Sequence, residues 1–269
     1  MKDLPRILSG LGLIALVFLS VFLGKTAILC VIFVFSAIAI WELTTNFFKF
    51  NLEGKFFNYL IFGLISFSSL YFIEKGEVKK EVFLAVNAVL NLVLLVYLFQ
   101  SSKRKVASEW IGIFPLFPAL FISLDLVSLS SLLLSDDWMH TIALLLLITY
   151  GMDTGGWFFG KNFGKNKLSP KISPNKTVEG LVGGALFSGT ISSVYLYYFG
   201  SNVGWEKFLL LSFFGALTHL GDLTQSKLKR EVNLKDSSNL IPGHGGVFDR
   251  VDSLYFIGPF YVLFLGYLV

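Results

Sequence analysis

Apolar runs close to the length of a bilayer crossing repeat along almost the whole chain, and they leave few folds open to it. A helix needs roughly 20 apolar residues to cross a ~30 Å hydrocarbon core. Runs of that kind lie near 7–23, 27–46, 56–73, 82–100, 110–134, 138–153, 178–199, 205–224 and 252–269. With 54% hydrophobic and 15% charged residues and a mean hydropathy of +0.70, the chain reads as an all-α integral membrane protein of about nine transmembrane helices. The basic start and apolar run of residues 1–24 are longer than a signal peptide's core and lack a clean cleavage site, so they read as the first span. The single cysteine, Cys30, sits inside an apolar run, which excludes a disulfide framework and a cysteine metal site. No repeat or soluble module interrupts the chain. It is read as one polytopic domain, 1–269, with mainly structural spans over 1–135 and the chemistry in 136–269.

Positive charge sets the expected orientation. If the N-terminus is cytoplasmic, Lys25, Lys75, Lys79, Lys80 and Lys207 fall outside and the other seventeen Lys and Arg fall inside. That bias puts the N-terminus in, and both long polar loops on the cytoplasmic side. An inner-membrane, multi-pass location with a cytoplasm-facing site follows.

Three polar stretches hold residues suited to chemistry. The first, YGMDTGGWFFGKNFGKNKLSPKISPNKTVEG, places Asp153 at the inner end of a short sixth span, where an ionised carboxylate needs water, a cation or a partner. Lys161, Lys165, Lys167, Lys171 and Lys176 follow it. In SPNKTVEG, Ser173 or Asn175 is expected to cap the next helix, whose free N–H groups with Lys176 would make an anion site. GKNFGKNK is not a P-loop: the glycine spacing is short, no Ser or Thr follows the lysine, and no strand precedes it.

The second stretch, THLGDLTQSKLKR, leaves the eighth span as a helix. Asp222, Ser226 and Arg230 share one face at i, i+4, i+8, with His219 one turn earlier. A carboxylate, a hydroxyl and a guanidinium in a row suit a metal-bound phosphate with an arginine clamp. His219 reads better as a packing residue than as a ligand. The third, IPGHGGVFDRVDS, offers glycines at 243, 245 and 246, where backbone can approach a phosphate without a Cβ in the way. Asp249, Arg250 and Asp252 then open the last span. Magnesium takes oxygen ligands and shares one or two carboxylates with substrate phosphates. Asp222 and Asp249 have that chemistry, and the lysines and arginines around them would neutralise the remaining phosphate charge.

At these residues the sequence resembles the phosphatidate cytidylyltransferases (CDP-diacylglycerol synthases). SKLKREVNLKDSSNLIPGHGGVFDRVDS matches that family's signature through Ser226, Lys229, Arg230, Lys235, Asp236, Pro242, His244, Gly245, Gly246, Asp249, Arg250 and Asp252. SPNKTVEG and the Asp153 motif resemble family features in the expected order. DTGGWFFG departs mildly, with Gly156 and Trp157 where an Ala–aromatic pair is expected. The resemblance implies that CTP and phosphatidate give CDP-diacylglycerol and pyrophosphate, with magnesium on Asp222 and Asp249. A second, monovalent cation is left open. It implies catalytic roles for Asp153, Asp222, Lys229, Arg230 and Asp249. Substrate contacts are expected from Lys167, Ser173, Asn175, Lys176, Thr177, Glu179, Ser226, Lys235, Asp236, His244, Gly245, Gly246, Arg250 and Asp252. The implied partners are CTP, phosphatidate, the bilayer and a second copy of the chain as a homodimer, with no nucleic acid.

Two rivals compete with this reading. A CTP-using lipid kinase would share the nucleotide site but release CDP. A transporter would draw on Asp125, deep in the fifth span, where an acid is a functional candidate by default. The CDP-alcohol phosphatidyltransferases fail on motif spacing.

Overall fold

The computed structural model describes residues 4–99 and 114–268. Its helices are α1 (Leu4–Leu23), α2 (Lys25–Glu42), α3 (Leu52–Glu74), α4 (Lys80–Phe99), α5 (Phe117–Ser130), α6 (Trp138–Phe163), α7 (Val178–Tyr198), α8 (Trp205–Glu231) and α9 (Phe248–Leu268). A π-helical turn, Leu43–Phe47, extends α2, and a 3₁₀ turn, Ser131–Leu134, extends α5. Lys2, Lys103, Arg104, Lys105 and residues 110–113 of the expected fifth span lie outside the described residues.

Eight of these helical segments are long and apolar enough to cross a membrane, so the chain is a multi-pass membrane protein. The eighth expected span, 205–224, is the apolar part of α8, a 27-residue helix. Its second half carries Thr218, His219, Asp222, Gln225, Lys227 and Lys229, polar enough that the helix falls outside those eight, and most of these side chains are buried. Burial grades from the α5 segment, 78% buried at the centre, to α1, 6% buried at the edge.

The sixth helix is longer than the sequence suggested. The glycines around Asp153 read as the end of a span, yet α6 continues to Phe163, which leaves Asp153 well inside it. Glycine costs a helix interior about 1 kcal/mol relative to alanine, and here close packing offsets that cost. A Cβ on Gly155 would stand 2.8 Å from Phe187 Cβ and 3.0 Å from Gly184 Cα; one on Gly180 would stand 2.8 Å from the Gly156 carbonyl oxygen. The small residues of 180–189 therefore seat α7 on α6 within one subunit.

Residues 173–177 also differ from expectation. Instead of opening a helix, Ser173–Thr177 (β2) pairs antiparallel with Lys167–Ser169 (β1), with Lys167 opposite Thr177 and Ser169 opposite Ser173. The two prolines, Pro170 and Pro174, disfavour helix there. Neither Ser173 nor Asn175 caps α7; Thr177 does, accepting from the Gly180 N–H.

In hydrocarbon each buried polar group needs an internal partner, and α4, α5 and α9 supply them to one another. Asn87 donates to Asp125 Oδ1 at 3.0 Å and to Ser128 Oγ at 2.9 Å, and Asn91 donates to the Phe256 carbonyl. Ser36 and Tyr255 hydroxyls join α2 to α9 at 2.8 Å. Asp125 is thus fully buried and held by an amide, with no ion pair among the described residues. Asp125→Asn, which still accepts from Asn87, is expected to keep the melting temperature near wild type. Asp125→Leu strands that donor and should cost about 1–3 kcal/mol, read as a lower melting temperature in detergent by circular dichroism. Equal stability of the two would show that this bond contributes nothing.

Candidate active site

The loop between α8 and α9 turns back on itself through two glycines in the left-handed region, Gly243 (φ 77°) and Gly245 (φ 84°). Ile241 and Gly245 pair across the turn, with the Ile241 N–H donating to the Gly245 carbonyl at 2.8 Å. The turn delivers the chain to Asp249 at the start of α9. One Asp249 oxygen meets the Lys229 ammonium at 2.6 Å. The other accepts from the Ser237 N–H (2.8 Å), the Gly246 N–H (2.9 Å) and the Ser237 hydroxyl (3.0 Å). The glycines therefore bring backbone close to carboxylates, not only to a future phosphate. A Cβ on Gly245 would stand 2.6 Å from Asp249 Oδ2, and one on Gly246 would collide with Ser237 Oγ and Glu42 Oε1.

Glu42 was not among the residues expected from the sequence. It ends α2, in the half read as mainly structural spans, and is fully buried. Its carboxylate accepts from the Ser238 hydroxyl (2.6 Å), the Phe248 N–H (2.7 Å) and the Val247 N–H (2.9 Å), and shares the single Ser237 hydroxyl proton (2.9 Å) with Asp249. Asn46, one turn on, donates to the Ser237 carbonyl at 2.7 Å. A signal for Glu42 was present in the sequence: an acid near the end of the apolar run 27–46 is costly unless something receives it.

Lys229 stands between Asp249 and Asp252, the latter at 3.9 Å. Burial alone would lower its pKa, but Asp252, Asp249 and Asp222 outweigh burial and hold it above the usual lysine value, so it stays charged. Two turns back along α8, Asp222 receives the Lys176 ammonium at 2.8 Å and the Ser226 hydroxyl at 3.1 Å. The i, i+4 pairing of Asp222 with Ser226 is the one expected from helical spacing. Lys176 comes from β2, which the hairpin lays against α8, and it also donates to the His219 carbonyl at 3.3 Å. Asp222 is 31% exposed, against 4% for the Asp249 side chain. Asp153, exposed on α6, lies within electrostatic reach of Asp222, Lys176 and Arg250. Four carboxylates and three cations from α6, β2, α8 and α9 thus meet at one end of the bundle.

Other expected residues are placed elsewhere. Arg230 does not continue the Asp222–Ser226 row; it donates to the Leu234 carbonyl (2.8 Å) and the Ile172 carbonyl (3.3 Å), closing the end of α8. Glu179 binds the Asn166 backbone and amide, and Val178 N–H donates to the Asn166 carbonyl. With Thr177 on Gly180, protein groups already satisfy part of the α7 start that was expected to take an anion. Lys167 and Asn175 are exposed on the hairpin, with Ser173 half-buried beside them. Lys235 and Asp236 are exposed on the loop, Asp236 packing by Gly245. His244 bonds Ser9 of α1 at 2.8 Å, and partial burial with Arg250 and Arg6 nearby lowers its pKa, so it stays neutral. His219 is buried with both ring nitrogens unpartnered among the described residues, consistent with packing against Gly156.

For magnesium, the donor chemistry is oxygen from carboxylate, as a hard cation requires. No group of three ligand-type side chains stands ready among the described residues, but substrate phosphates complete such sites. Asp222 fits best, being partly exposed with an oxygen held only by a hydroxyl. Asp249 fits if the cation shares the oxygen now given to Lys229.

The fold is that of a multi-pass membrane protein, with a charged floor of paired carboxylates and lysines at one end of an apolar helix bundle. The chain belongs to the cytidylyltransferase family, whose profile matches residues 4–268, and it is a nucleotidyltransferase. It is 33% identical over 96% of its length to the phosphatidate cytidylyltransferase of Haemophilus influenzae, covering 97% of that protein. It is 32% identical to the enzyme of the same name from Bacillus subtilis, with 97% of each chain covered. A Staphylococcus aureus phosphatidate cytidylyltransferase is 39% identical over 46% of this chain and 48% of its own.

Proposed function

We propose that the protein transfers the CMP moiety of CTP to phosphatidate, forming CDP-diacylglycerol and releasing pyrophosphate, as a step of phospholipid biosynthesis. The names of its full-length relatives support the substrates. The observation that carries the reading is the alternation Lys176–Asp222 and Lys229–Asp249–Asp252 at one end of the bundle. Carboxylates alone would repel two phosphorylated substrates, and cations alone would hold no metal.

In this reading a phosphatidate oxygen forms a bond to the α-phosphorus of CTP, and the bond from that phosphorus to the bridging oxygen of the β-phosphate breaks. The attacking phosphate is ionised near neutral pH, so no general base is required. Lys229, Arg250 and Lys176 stabilise charge on the phosphates, with Lys235 and the α8–α9 turn near enough to follow the nucleotide. Asp222 and Asp249 would hold magnesium, which when bound neutralises phosphate oxygens and the leaving pyrophosphate. Asp153 orients the cations that face it. A cytoplasm-facing site, an N-terminus on the cytoplasmic side of the inner membrane, a second monovalent cation and a homodimer complete the proposal; the charge bias supports the first two.

Purified protein in micelles with CTP, phosphatidate and magnesium is expected to yield pyrophosphate and CDP-diacylglycerol in equal amounts, and chelation by EDTA should stop turnover. Release of CDP with a newly phosphorylated lipid would assign it to the kinases instead.

A further inference from the structure

A cavity of about 600 Å³ runs beside the site, between α1, α2, α5, α6 and α9. Its walls are apolar along almost their whole length, with Leu13 and Val17 of α1, Ile28 and Ile32 of α2, and Leu145 of α6 among them. The volume is within the range of small-molecule sites, roughly 300–1,000 Å³. One end differs from the rest: Tyr150, His244 and Arg250 line it. Arg6 stands at the same end, close enough that a Cβ on Gly243 would meet its Cβ at 2.8 Å. Ser9 fixes that end of α1 by donating to the Pro242 carbonyl at 2.9 Å.

Neither Arg6 nor Arg250 makes an ion pair among the described residues. Two guanidinium groups at the mouth of an apolar cavity match one kind of occupant, an acyl chain joined to a phosphate. The mouth lies beside the charged floor: Tyr150 and Arg250 line it, and both are in electrostatic reach of Asp153. A path for the lipid between α6 and α8, by Asp153 and Asp222, is less open: α7 packs there through Gly180 and Gly184 against the α6 backbone. On the other side the wall toward the bilayer is α1, the least buried helix of the bundle.

We propose that this cavity holds one acyl chain of the phosphorylated lipid substrate, with Arg6 and Arg250 gripping its phosphate beside the charged floor. The inference rests on the function proposed above and adds where the lipid sits and which residues of α1 recognise it. Arg6 is then a substrate-binding residue outside the signature stretch, and α1 is the wall past which the chain enters.

The test compares dioleoyl and dihexanoyl phosphatidate in detergent micelles, with wild type, Val17→Trp and Arg6→Gln. Filling the cavity with Val17→Trp should shift the ratio of kcat/KM for long over short chains by about tenfold against the long chain. Arg6→Gln should raise the KM for either phosphatidate about tenfold, the size of one lost charge-assisted hydrogen bond, and leave the KM for CTP alone. A phosphatidate with a diazirine in its acyl chain should label α1 and α2 of wild type on illumination, a readout that needs no variant to fold. Equal loss for both chain lengths, a changed KM for CTP alone, or labelling confined to other helices would overturn the subsite. Wild type that turns over CTP with neither lipid would defeat the functional reading itself.

Discussion

Glu42→Gln is expected to lower nucleotide turnover by one to two orders of magnitude although Glu42 touches no substrate group in the proposed reaction. Each Glu42 oxygen accepts two hydrogen bonds, the one from Ser237 shared with Asp249, and together they bind Ser237, Ser238, Val247 and Phe248. Glutamine keeps one acceptor oxygen and turns an NH₂ toward two donors. Hydrogen bonds to a charged group contribute about 1.5–3 kcal/mol each, so losing two in a fully buried place costs on the order of 3 kcal/mol. The same loop gives its Ser237 and Gly246 N–H groups to Asp249. Loosening it therefore misplaces the carboxylate that meets Lys229. The loss should fall on kcat more than on the KM for CTP, since a 1 Å misplacement is felt most by the reacting geometry. A variant that melts at a lower temperature yet turns over normally in the fraction still folded would reduce Glu42 to a fold-stabilising residue. Unchanged melting and turnover would remove it from the site altogether.

That residue also shows where reading the sequence stops. Apolar runs announced the spans because the bilayer imposes their length, and the α8 face was legible because Asp222 and Ser226 are one helical turn apart. The Lys229–Asp249 pair was within reach, since both residues lie in one charged stretch. Lys176 meeting Asp222, and Glu42 meeting Ser237, are contacts across distant parts of the chain, which no local period encodes. Glycine acts in two places for one physical reason. At Gly155 and Gly180 it permits helices to touch, and at Gly246 it makes room for Glu42. In both places the missing Cβ faces protein; the helix approach at Gly155 was legible in the sequence, whereas the continuation of α6 past it and the partner Glu42 at Gly246 were not. The hairpin went unseen because β1 and β2 hold three and five residues, too few for alternation to show.

Asp249→Asn is expected to abolish turnover and also to destabilise the fold, and the two effects can be separated. The Lys229 and Asp249 side chains are 8% and 4% exposed and meet at 2.6 Å. Breaking such a pair from one side leaves an uncompensated buried charge and costs about 3–5 kcal/mol; Asp252, at 3.9 Å, recovers part of it. Removing both charges in Lys229→Met/Asp249→Asn should return most of that stability, because a buried pair replaced by neutral groups is often close to neutral in energy. Turnover should stay absent in the double variant, since neither the phosphate charge nor a metal would then be met. The pH profile separates the partners. The raised pKa of Lys229 means that its contribution to stability is complete below the ordinary lysine range and lost only above it. Any loss of stability on mild acidification therefore belongs to the carboxylates. A double variant that regains turnover along with stability would show that the pair serves the fold alone, and the chemistry would then rest on Asp222 and Lys176.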